Sequence, residues 1–472
     1  VTARIEPIHT EHTAEQLFLS LKDRPGCVWL DSARVDERYG RYSFLTAEPF
    51  MIFSSRGDQW TMRSRERERA GAGNPLAYAR GYEQRGHGDP FTKLAALLAQ
   101  HTSLHRADTP FPLGGAFGYF GYDLKNHIER LPSRAQDDLG LPDCWFGFYD
   151  SLVVFDHVAE RMYQVSNREE TNVGGAAARR PALDILTGPG RRAEAPPTLA
   201  RSNFTRPDYL HAVARAKDYI AAGDIYQVNL SQRFHARTSL PASDLYLRLR
   251  ETNPGPFAAY LDIGEAQILS SSPERFLRLS GRYIQTRPIK GTRPRTGNEA
   301  TDEVAARELM MSAKDQAELV MITDLERNDL GRVCEFGSVR VPELVRLEEY
   351  ATVFHLVSTV EGRLRDGISH VEAVRACFPG GSITGAPKIR AMEIIDELEP
   401  HARGVYTGAI GYFGFNGESD FNIAIRTMIQ KSDDVYFHAG GGIVADSDPA
   451  AEYDETLAKA RGMIEALHSD TH

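Results

Sequence analysis

The sequence predicts an α+β fold built mainly on antiparallel sheet. Three stretches carry that expectation. Phe257–Ile263 and Ala266–Ser271 are apolar, β-prone runs joined by a short turn, as hairpin strands are. Gly404–Phe415 and Ser419–Ile429 repeat the pattern around Asn416-Gly417, a type I′ hairpin signal. Phe111–Tyr122 reads FPLGGAFGYFGY, with aromatic residues alternating with glycine, which suggests a strand pair lying close against another sheet. Hairpin-rich stretches of this kind argue against a parallel, doubly wound sheet.

Taken in order, the first 170 residues read as sheet with few helices. Cys27–Leu30 and Met51–Ser54 are short strands, and Phe91–Ala99 is an amphipathic helix with Leu94, Leu97 and Leu98 inward. Arg63–Arg69 alternates Arg and Glu and is expected to be a solvated connection. Phe146–Asp156 and Arg161–Ser166 are expected to form a hairpin. An alanine-rich stretch and GPGRRAEAPP then mark the best linker candidate, so the expected division is 1–170, a linker region 171–203, and 204–472. Arg206–Ala222 places Tyr209, Val213, Ala216 and Ile220 on one helical face, with Pro207 in the first turn, where a missing N–H costs nothing. Ile225–Arg237 is a strand, Leu245–Glu251 a short helix, and Arg275–Leu279 with Arg282–Ile284 a further hairpin. Helices are expected over Asn298–Ser312, Lys314–Asn328, His370–Ala376, Lys388–Leu398 and Pro449–Leu467. Strands are expected near Val333–Val341, Ala351–Gly362 and Val435–Ala439.

Composition bounds the function. A hydrophobic content of 42% over 472 residues is ample for a core, and a net charge of -10 argues against broad nucleic-acid affinity. An anion site must therefore be a local cluster of Arg and Lys. Cys27, Cys144, Cys334 and Cys377 form no CxxC pair, which argues against a zinc knuckle. No apolar segment has signal or membrane-spanning length, so the expectation is a soluble, cytoplasmic protein with no membrane association.

The most informative ten residues are TRPIKGTRPR, 286–295. Pro288 and Pro294 restrict the backbone and Gly291 permits a conformation closed to other residues, so the stretch reads as a rigid, cationic turn presenting Lys290. Composition alone also suits a basic surface loop. Asp315 and Glu318 share one helix face, and Glu452 and Glu455 repeat that spacing. Such pairs are ordinary on helix surfaces. If the two helices face each other, four carboxylates converge and call for a hard cation, and oxygen-only ligands favour Mg2+. A carboxylate-rich metal site beside a basic stretch suits a small dianionic substrate. Glu274, at a strand end, is either a surface residue or a general acid/base. His355, within VFHL, is either a packing residue or a proton carrier. GGSITGAPKIR (380–390) brings Thr384 and free N–H groups to a helix start that suits a carboxylate, without the order of a P-loop. Arg426 is placed in a strand where burial would require an anion, with Tyr406 in the paired strand. Gly440, Gly441 and Gly442 are expected to form a compact turn whose N–H groups cradle a carboxylate.

These residues lie in segments that resemble the chorismate-utilising enzymes, the large subunits of anthranilate and aminodeoxychorismate synthases. The segments are SSPERF (271–276), TRPIKGTRPR (286–295), AELVMITDLERNDLGRV (317–333), VFHLVSTVEGRL (353–364), CFPGGSITGAPKIRAMEIIDELEP (377–400), RGVYTGAIGYFG (403–414), NIAIRT (422–427) and GGGIVADSDPAAEYDETLAKA (440–460). The resemblance runs from about residue 205 onward and is looser before it, at Leu30-Asp31-Ser32 and GGAFGYFGYD. It implies two interleaved subdomains with large antiparallel sheets packed face to face and helices outside, 204–472 being the chorismate-binding catalytic part. It implies Mg2+ held by Glu318 and Glu455, with Glu452 beside them and Asp315 standing where many relatives have Glu. It also implies chorismate contacts from Thr292, His355, Thr384, Tyr406, Arg426, Gly440, Gly441, Gly442 and Lys459.

Lys290 separates two branches of this family. Anthranilate synthases usually carry alanine before the Gly-Thr, whereas aminodeoxychorismate synthases carry lysine. The resemblance therefore implies attack by Lys290 on C2 of chorismate, with Glu274 and His355 completing the catalytic set. The implied product is 4-amino-4-deoxychorismate, on the route to 4-aminobenzoate and folate. No Gly-Cys-Gly nucleophile motif is present, so ammonia is expected from a separate glutamine amidotransferase subunit. Lys290 must be neutral to attack, and Arg287, Arg293, Arg295 and burial are expected to lower its pKa. The protonation state of Glu274 stays open. The alternative is the anthranilate synthase reaction of tryptophan biosynthesis. The Leu30-Asp31-Ser32 turn resembles an inhibitor-site segment, which makes the pocket there a candidate tryptophan site.

Overall fold

Two antiparallel sheets, each of twelve strands among the described residues, pack against each other in the computed structural model. It describes residues 3–10, 12–33, 39–64, 82–101, 109–167, 200–349 and 353–468. The expected linker lies almost wholly outside them. The first sheet runs in space through Arg4–Ile8, Arg161–Ser166, Ser151–Asp156, Tyr42–Thr46, Val28–Asp31, Phe257–Asp262, Gln267–Ser272, Thr427–Lys431, Asp434–Ile443, Gln227–Arg237 and Arg201–Ser202. The second runs through Ile289–Pro294, Val353–Arg363, Tyr283–Thr286, Arg275–Ser280, Glu418–Ile423, Ala409–Gly414, Gly115–Phe120, Cys144–Tyr149, Met51–Arg56, Gln59–Ser64 and Tyr82–His87. Both sheets thus draw strands from the two ends of the chain, and the subdomains interleave.

Alternation along the strands explains the layers. Val28, Phe44, Ile268 and Ile429 of the first sheet meet Phe117, Trp145, Ile410 and Tyr412 of the second in one apolar cluster between the sheets. On the outer face of the first sheet, Phe18, Tyr246, Leu249 and Met463 of three helices cover Trp29, Tyr260 and Phe437. On the outer face of the second, Phe91, Leu94, Leu330 and Val374 cover Phe53, Phe120 and Phe421. Several helices start at side-chain caps: Thr205 accepts from Asp208 N–H, Ser312 from Asp315 N–H and Asp448 from Ala451 N–H.

The differences from the sequence reading have a common cause. The run Phe146–Asp156 is two strands, Cys144–Tyr149 in the second sheet and Ser151–Asp156 in the first. Ser419–Ile429 likewise divides into Glu418–Ile423 and Thr427–Lys431, one in each sheet. Apolar pattern continues through such crossovers because both strands face the same inter-sheet core. Phe111–Tyr122 holds one strand, Gly115–Phe120, rather than a pair. Arg63 and Ser64 end the strand Gln59–Ser64, and the rest of the expected solvated connection, 65–69, lies outside the described residues. The strand expected at Val333–Val341 forms later, at Arg340–Glu349. At Asn416-Gly417 only Gly417 has positive φ, +80°, and its N–H donates to Gly414 O at 3.1 Å, so the turn is not type I′.

Candidate functional site

The candidate site forms where the chain passes between the sheets. Pro273 and Glu274 join Gln267–Ser272 of the first sheet to Arg275–Ser280 of the second. Ala424, Ile425 and Arg426 make the return passage beside them. The two passages are tied by Ile423 N–H to Glu274 O at 3.0 Å, Ser271 N–H to Arg426 O at 3.0 Å and Ser272 Oγ–H to Ile423 O at 2.6 Å. Arg426 therefore lies in a crossover with φ +51°, not within a strand as expected.

Lys290 lies on the strand Ile289–Pro294, so the expected cationic turn is a strand with a bulge. Register against Val353–Arg363 shifts between Lys290↔Leu356 and Thr292↔His355. Gly291 absorbs the shift at φ +65°, the left-handed conformation of a glycine bulge. A Cβ there would sit 2.7 Å from Leu309 Cδ1 and 3.0 Å from Asp315 Cβ, so only glycine lets the strand lie this close to the helix Ala313–Gly331. Thr292 Oγ1 and His355 Nδ1 are 2.9 Å apart, and the same nitrogen is 3.4 Å from Gly291 O.

Burial lowers the Lys290 ammonium pKa; the charges of Glu274 and Glu318 oppose that shift and Lys459 adds to it. Lys290 keeps some surface, yet a dense shell of protein surrounds its amine. The expected role of the arginines is not what the structure holds. Arg287 donates to Glu348 at 2.7 Å, Arg293 pairs with Asp315 at 3.2 Å and Arg295 with Asp302 at 3.5 Å, so their charges are already matched. Glu274 is 7% exposed, and burial raises its pKa against the pull of Lys290. Burial thus drives the acid and the amine toward their neutral forms.

The four acidic residues come from two helices, Ala313–Gly331 and Pro449–Leu467, and do not converge. Among the described residues, no three His, Cys, Asp or Glu side chains stand close enough together to hold a metal ion. Each already has a partner: Glu455 takes Lys459 at 2.7 Å, Glu452 accepts from Ser447 at 2.6 Å, Asp315 takes Arg293, and Glu318 takes Lys314 at 3.9 Å. Burial raises the pKa of Glu318 and of Glu452; in Glu455 the nearby Lys459 outweighs burial and lowers it. The donor chemistry nevertheless fits a hard cation. A Cβ on Gly441 would sit 2.9 Å from Glu452 Oε2 and 3.7 Å from Glu455 Oε1, so glycine leaves both carboxylates an open cradle.

Gly440, Gly441 and Gly442 form no compact turn. They are the end of the strand Asp434–Ile443, paired with Ser231, Leu230 and Asn229. Lys459 Nζ donates to Gly440 O at 2.9 Å, which ties the last helix to this strand. Tyr406 lies in the turn before Ala409–Gly414, stacked on His438 at 4.8 Å between ring centroids. Burial pushes its phenol up to about 12 against the charge of Arg403. Burial lowers the pKa of Arg426, and among the described residues no carboxylate pairs with it. Thr384 is fully buried and donates to Gly380 O at 2.9 Å, while Lys388 is committed to Asp329 at 2.6 Å and cannot serve an anion at that turn.

Sequence reasoning passed over Gln227, Asn229 and Glu326. Gln227 Oε1, Asn229 Oδ1 and Glu326 Oε2 are buried without a hydrogen-bond partner. The alternation of YQVNLSQRF was the available signal for the first two, since it sets both on one strand face. Apart from the site, a small pocket lies between the sheets, lined by Leu30, Asp31, Ser32, Tyr39, Phe44 and Pro256 among others. Arg250 already binds Asp31 at 2.6 Å.

Residues 48–465 match the family model described as chorismate binding enzyme. The aminodeoxychorismate synthase component 1 of Klebsiella aerogenes is 41% identical over 457 residues, 97% of each chain. The anthranilate synthase component 1 of Thermus thermophilus is 45% identical over 381 residues, 80% of this chain and 81% of that one. Among solved structures, anthranilate synthase component I from Streptococcus pneumoniae superposes with a TM-score of 0.75 at 33% identity, covering 91% of this chain and 94% of that one. Nearly the whole described chain, including every site element above, falls within that match, and the chain belongs to the family of chorismate-binding enzymes.

Proposed function

We propose that this chain aminates chorismate at C4, as component I of an aminodeoxychorismate synthase, with ammonia supplied by a separate glutamine amidotransferase. Lys290 carries this reading. It is an amine shifted toward its neutral form, set by a bulge beside Glu274 and Glu318. Relatives of both branches match at similar identity, so overall similarity does not choose between them, whereas the lysine before Gly291-Thr292 favours amination without loss of the enolpyruvyl group.

In the proposed reaction the Lys290 amine attacks C2, the ring double bonds shift, and the C4–O bond breaks. Glu274 gives its proton to the departing hydroxyl, which leaves as water. Ammonia then adds at C4, the double bonds shift back, and the C2–N bond to Lys290 breaks. The proton lost from the added nitrogen restores Glu274. Arg426 and Tyr406 bind a carboxylate from one side, with Thr384 and the Gly440–Ile443 strand end beside them. Thr292 orients His355 toward the ring. A Mg2+ held by Glu318 and Glu455, with Glu452 and Asp315 beside them, would neutralise the ring carboxylate. No described helix is long and apolar enough to cross a membrane. A cytoplasmic location, and tryptophan in the inter-sheet cavity, are parts of the same proposal.

The test is direct. Protein, chorismate, Mg2+ and ammonium are incubated, and an aminodeoxychorismate lyase is then added. The expected product is 4-aminobenzoate. Anthranilate appearing without the lyase overturns the proposal in favour of the anthranilate branch. Lys290→Ala is expected to abolish aminodeoxychorismate formation with chorismate affinity retained, and full turnover in that variant excludes the covalent step.

A further inference from the structure

Arg275 follows Glu274 in the chain and is a buried charge that the proposed reaction leaves without a role. It is 5% exposed. Its Nε and Nη2 donate to Oδ1 and Oδ2 of Asp420, each at 2.9 Å, so the pair is bidentate. The guanidinium carbon lies 4.8 Å from the ring centre of Phe257 and 5.6 Å from that of Tyr39. Its Nη1 is buried with no hydrogen-bond partner. A buried donor left unpaired costs stability, so packing alone does not explain an arginine here.

The backbone shows what the pair supplies. Arg275–Ser280 and Glu418–Ile423 run antiparallel, with Arg275 opposite Asn422 but Leu277 opposite Phe421. Phe276 is therefore an extra residue, a bulge, and the ladder is interrupted just after the crossover that carries Glu274. Asp420 lies beyond the interruption, opposite Arg278. Its carboxylate reaches back to Arg275 and spans the bulge, so side chains fix what the ladder leaves loose. Arg275 and Arg287 also line one small pocket with Pro273 and Ile289, the residues that precede Glu274 and Lys290. The Arg287 guanidinium carbon is 4.0 Å from the ring centre of Tyr39, so this ring rests against both arginines. The ion pair thus stands immediately behind the acid and the amine, each of which is the strongest charge acting on the other.

We propose that Arg275, held by Asp420, is a positioning residue that fixes the Glu274 carboxyl against Lys290 and the departing hydroxyl. This rests on Glu274 being the acid of the reaction proposed above. Arg275 acts only through Glu274 and exchanges no proton itself. Without the ion pair the bulge relaxes and the acid shifts from the C4 oxygen. Proton donation then slows, while Arg426 and Tyr406 still hold the substrate carboxylate. A displacement of about 1 Å at a reacting group can cost about a hundredfold in rate.

The experiment measures kcat, KM for chorismate and Tm of the full chain with Mg2+, a fixed concentration of free ammonia and an aminodeoxychorismate lyase in excess. The variants are Asp420→Asn, Arg275→Met, the double Arg275→Met/Asp420→Leu, Glu274→Gln, and Asp420→Asn added to Glu274→Gln. Asp420→Asn keeps the size and one acceptor but loses the charge. It is expected to lower kcat about tenfold or more with KM within about twofold. The double variant replaces the buried pair by apolar side chains, which restores stability without restoring the clamp. Its Tm is expected to rise above that of Arg275→Met while kcat stays about tenfold or more down, a split that a merely structural pair does not give. In the Glu274→Gln background, Asp420→Asn is expected to lower the residual kcat by less than about twofold, because its effect runs through Glu274. Normal kcat in Asp420→Asn, or kcat recovered together with Tm in the double variant, overturns the positioning role alone. An undiminished loss from Asp420→Asn in the Glu274→Gln background does the same. Retained turnover in Glu274→Gln removes the acid reading and the positioning role with it.

Discussion

Lys290 and Glu274 are opposite charges that burial discourages in both cases. Each also stabilises the ionised form of the other, so the pair sits between a neutral acid–amine couple and a buried ion pair. Removing one partner separates the effects. Glu274→Gln deletes the charge that raises the Lys290 pKa, so that pKa is expected to fall further. The reactive amine fraction grows as pH rises through the lysine's pKa, and its labelling curve is therefore expected to move to lower pH. Competitive acetylation with peptide mass spectrometry reads that curve; a curve unmoved or moved to higher pH contradicts the coupling. Both residues stood out in the sequence, as a lysine between proline and glycine and an acid after Ser-Pro, but the burial of Glu274 did not. The pairing of Arg287, Arg293 and Arg295 did not stand out either. Their partners Glu348, Asp315 and Asp302 lie elsewhere in the chain, and no local pattern announces them.

At the scale of elements the strand Ile289–Pro294 depends on one residue. Gly291→Ala must place a Cβ at φ +65° and against Leu309 and Asp315, whereas Gly297→Ala at φ +81° meets nothing within 4 Å. Backbone strain alone costs roughly 1–2 kcal/mol. Urea unfolding is expected to show about that loss for Gly297→Ala with turnover retained. Gly291→Ala is expected to lose more stability and most of its turnover, since relief of the contact moves Lys290 away from Glu318. Equal stability losses with full activity in both variants contradict the steric account. Lys388–Leu398 and Pro449–Leu467 were legible to the residue, because helical period is written locally, whereas Ala14–Leu21 was not read and Ala242–Thr252 was read as the shorter Leu245–Glu251. Most hairpin strands were legible, but not where one ends and its successor enters the other sheet, and Ile289–Pro294 was read as a turn. The glycines at 440–442 misled because glycine marks a turn and a close approach equally well.

Across the whole molecule, Arg403 joins parts that the chain order keeps apart. Its guanidinium is 2% exposed and donates to Glu399 at 2.7 and 2.9 Å, to Asn229 O at 2.7 Å, to Ile383 O at 3.0 Å and to Thr407 Oγ1 at 3.2 Å. Glu399 in turn accepts from Ser231 N–H and Oγ–H at 2.8 and 2.9 Å. One buried ion pair thus binds a first-sheet strand, the turn carrying Tyr406 into the second sheet, and the turn that holds Thr384. Arg403→Met leaves Glu399 buried without its countercharge and is expected to cost about 3–5 kcal/mol. Adding Glu399→Gln removes the orphaned charge and is expected to recover much of that loss in the same denaturation experiment. A double variant no more stable than the single one rules out charge pairing as the source.

The sequence by itself determined most of the helices, the antiparallel character of the sheets and a set of candidate site residues. Periodicity, caps, turn residues and the spacing of acids along a helix are properties of neighbours in the chain. The tertiary structure alone decided which sheet each strand enters, that Glu274 and Arg426 lie in paired crossovers between the sheets, and which charges are already matched. Those outcomes depend on contacts between distant residues and on how completely water is excluded around them. Burial, rather than the arginines beside it in sequence, is what lowers the pKa of Lys290.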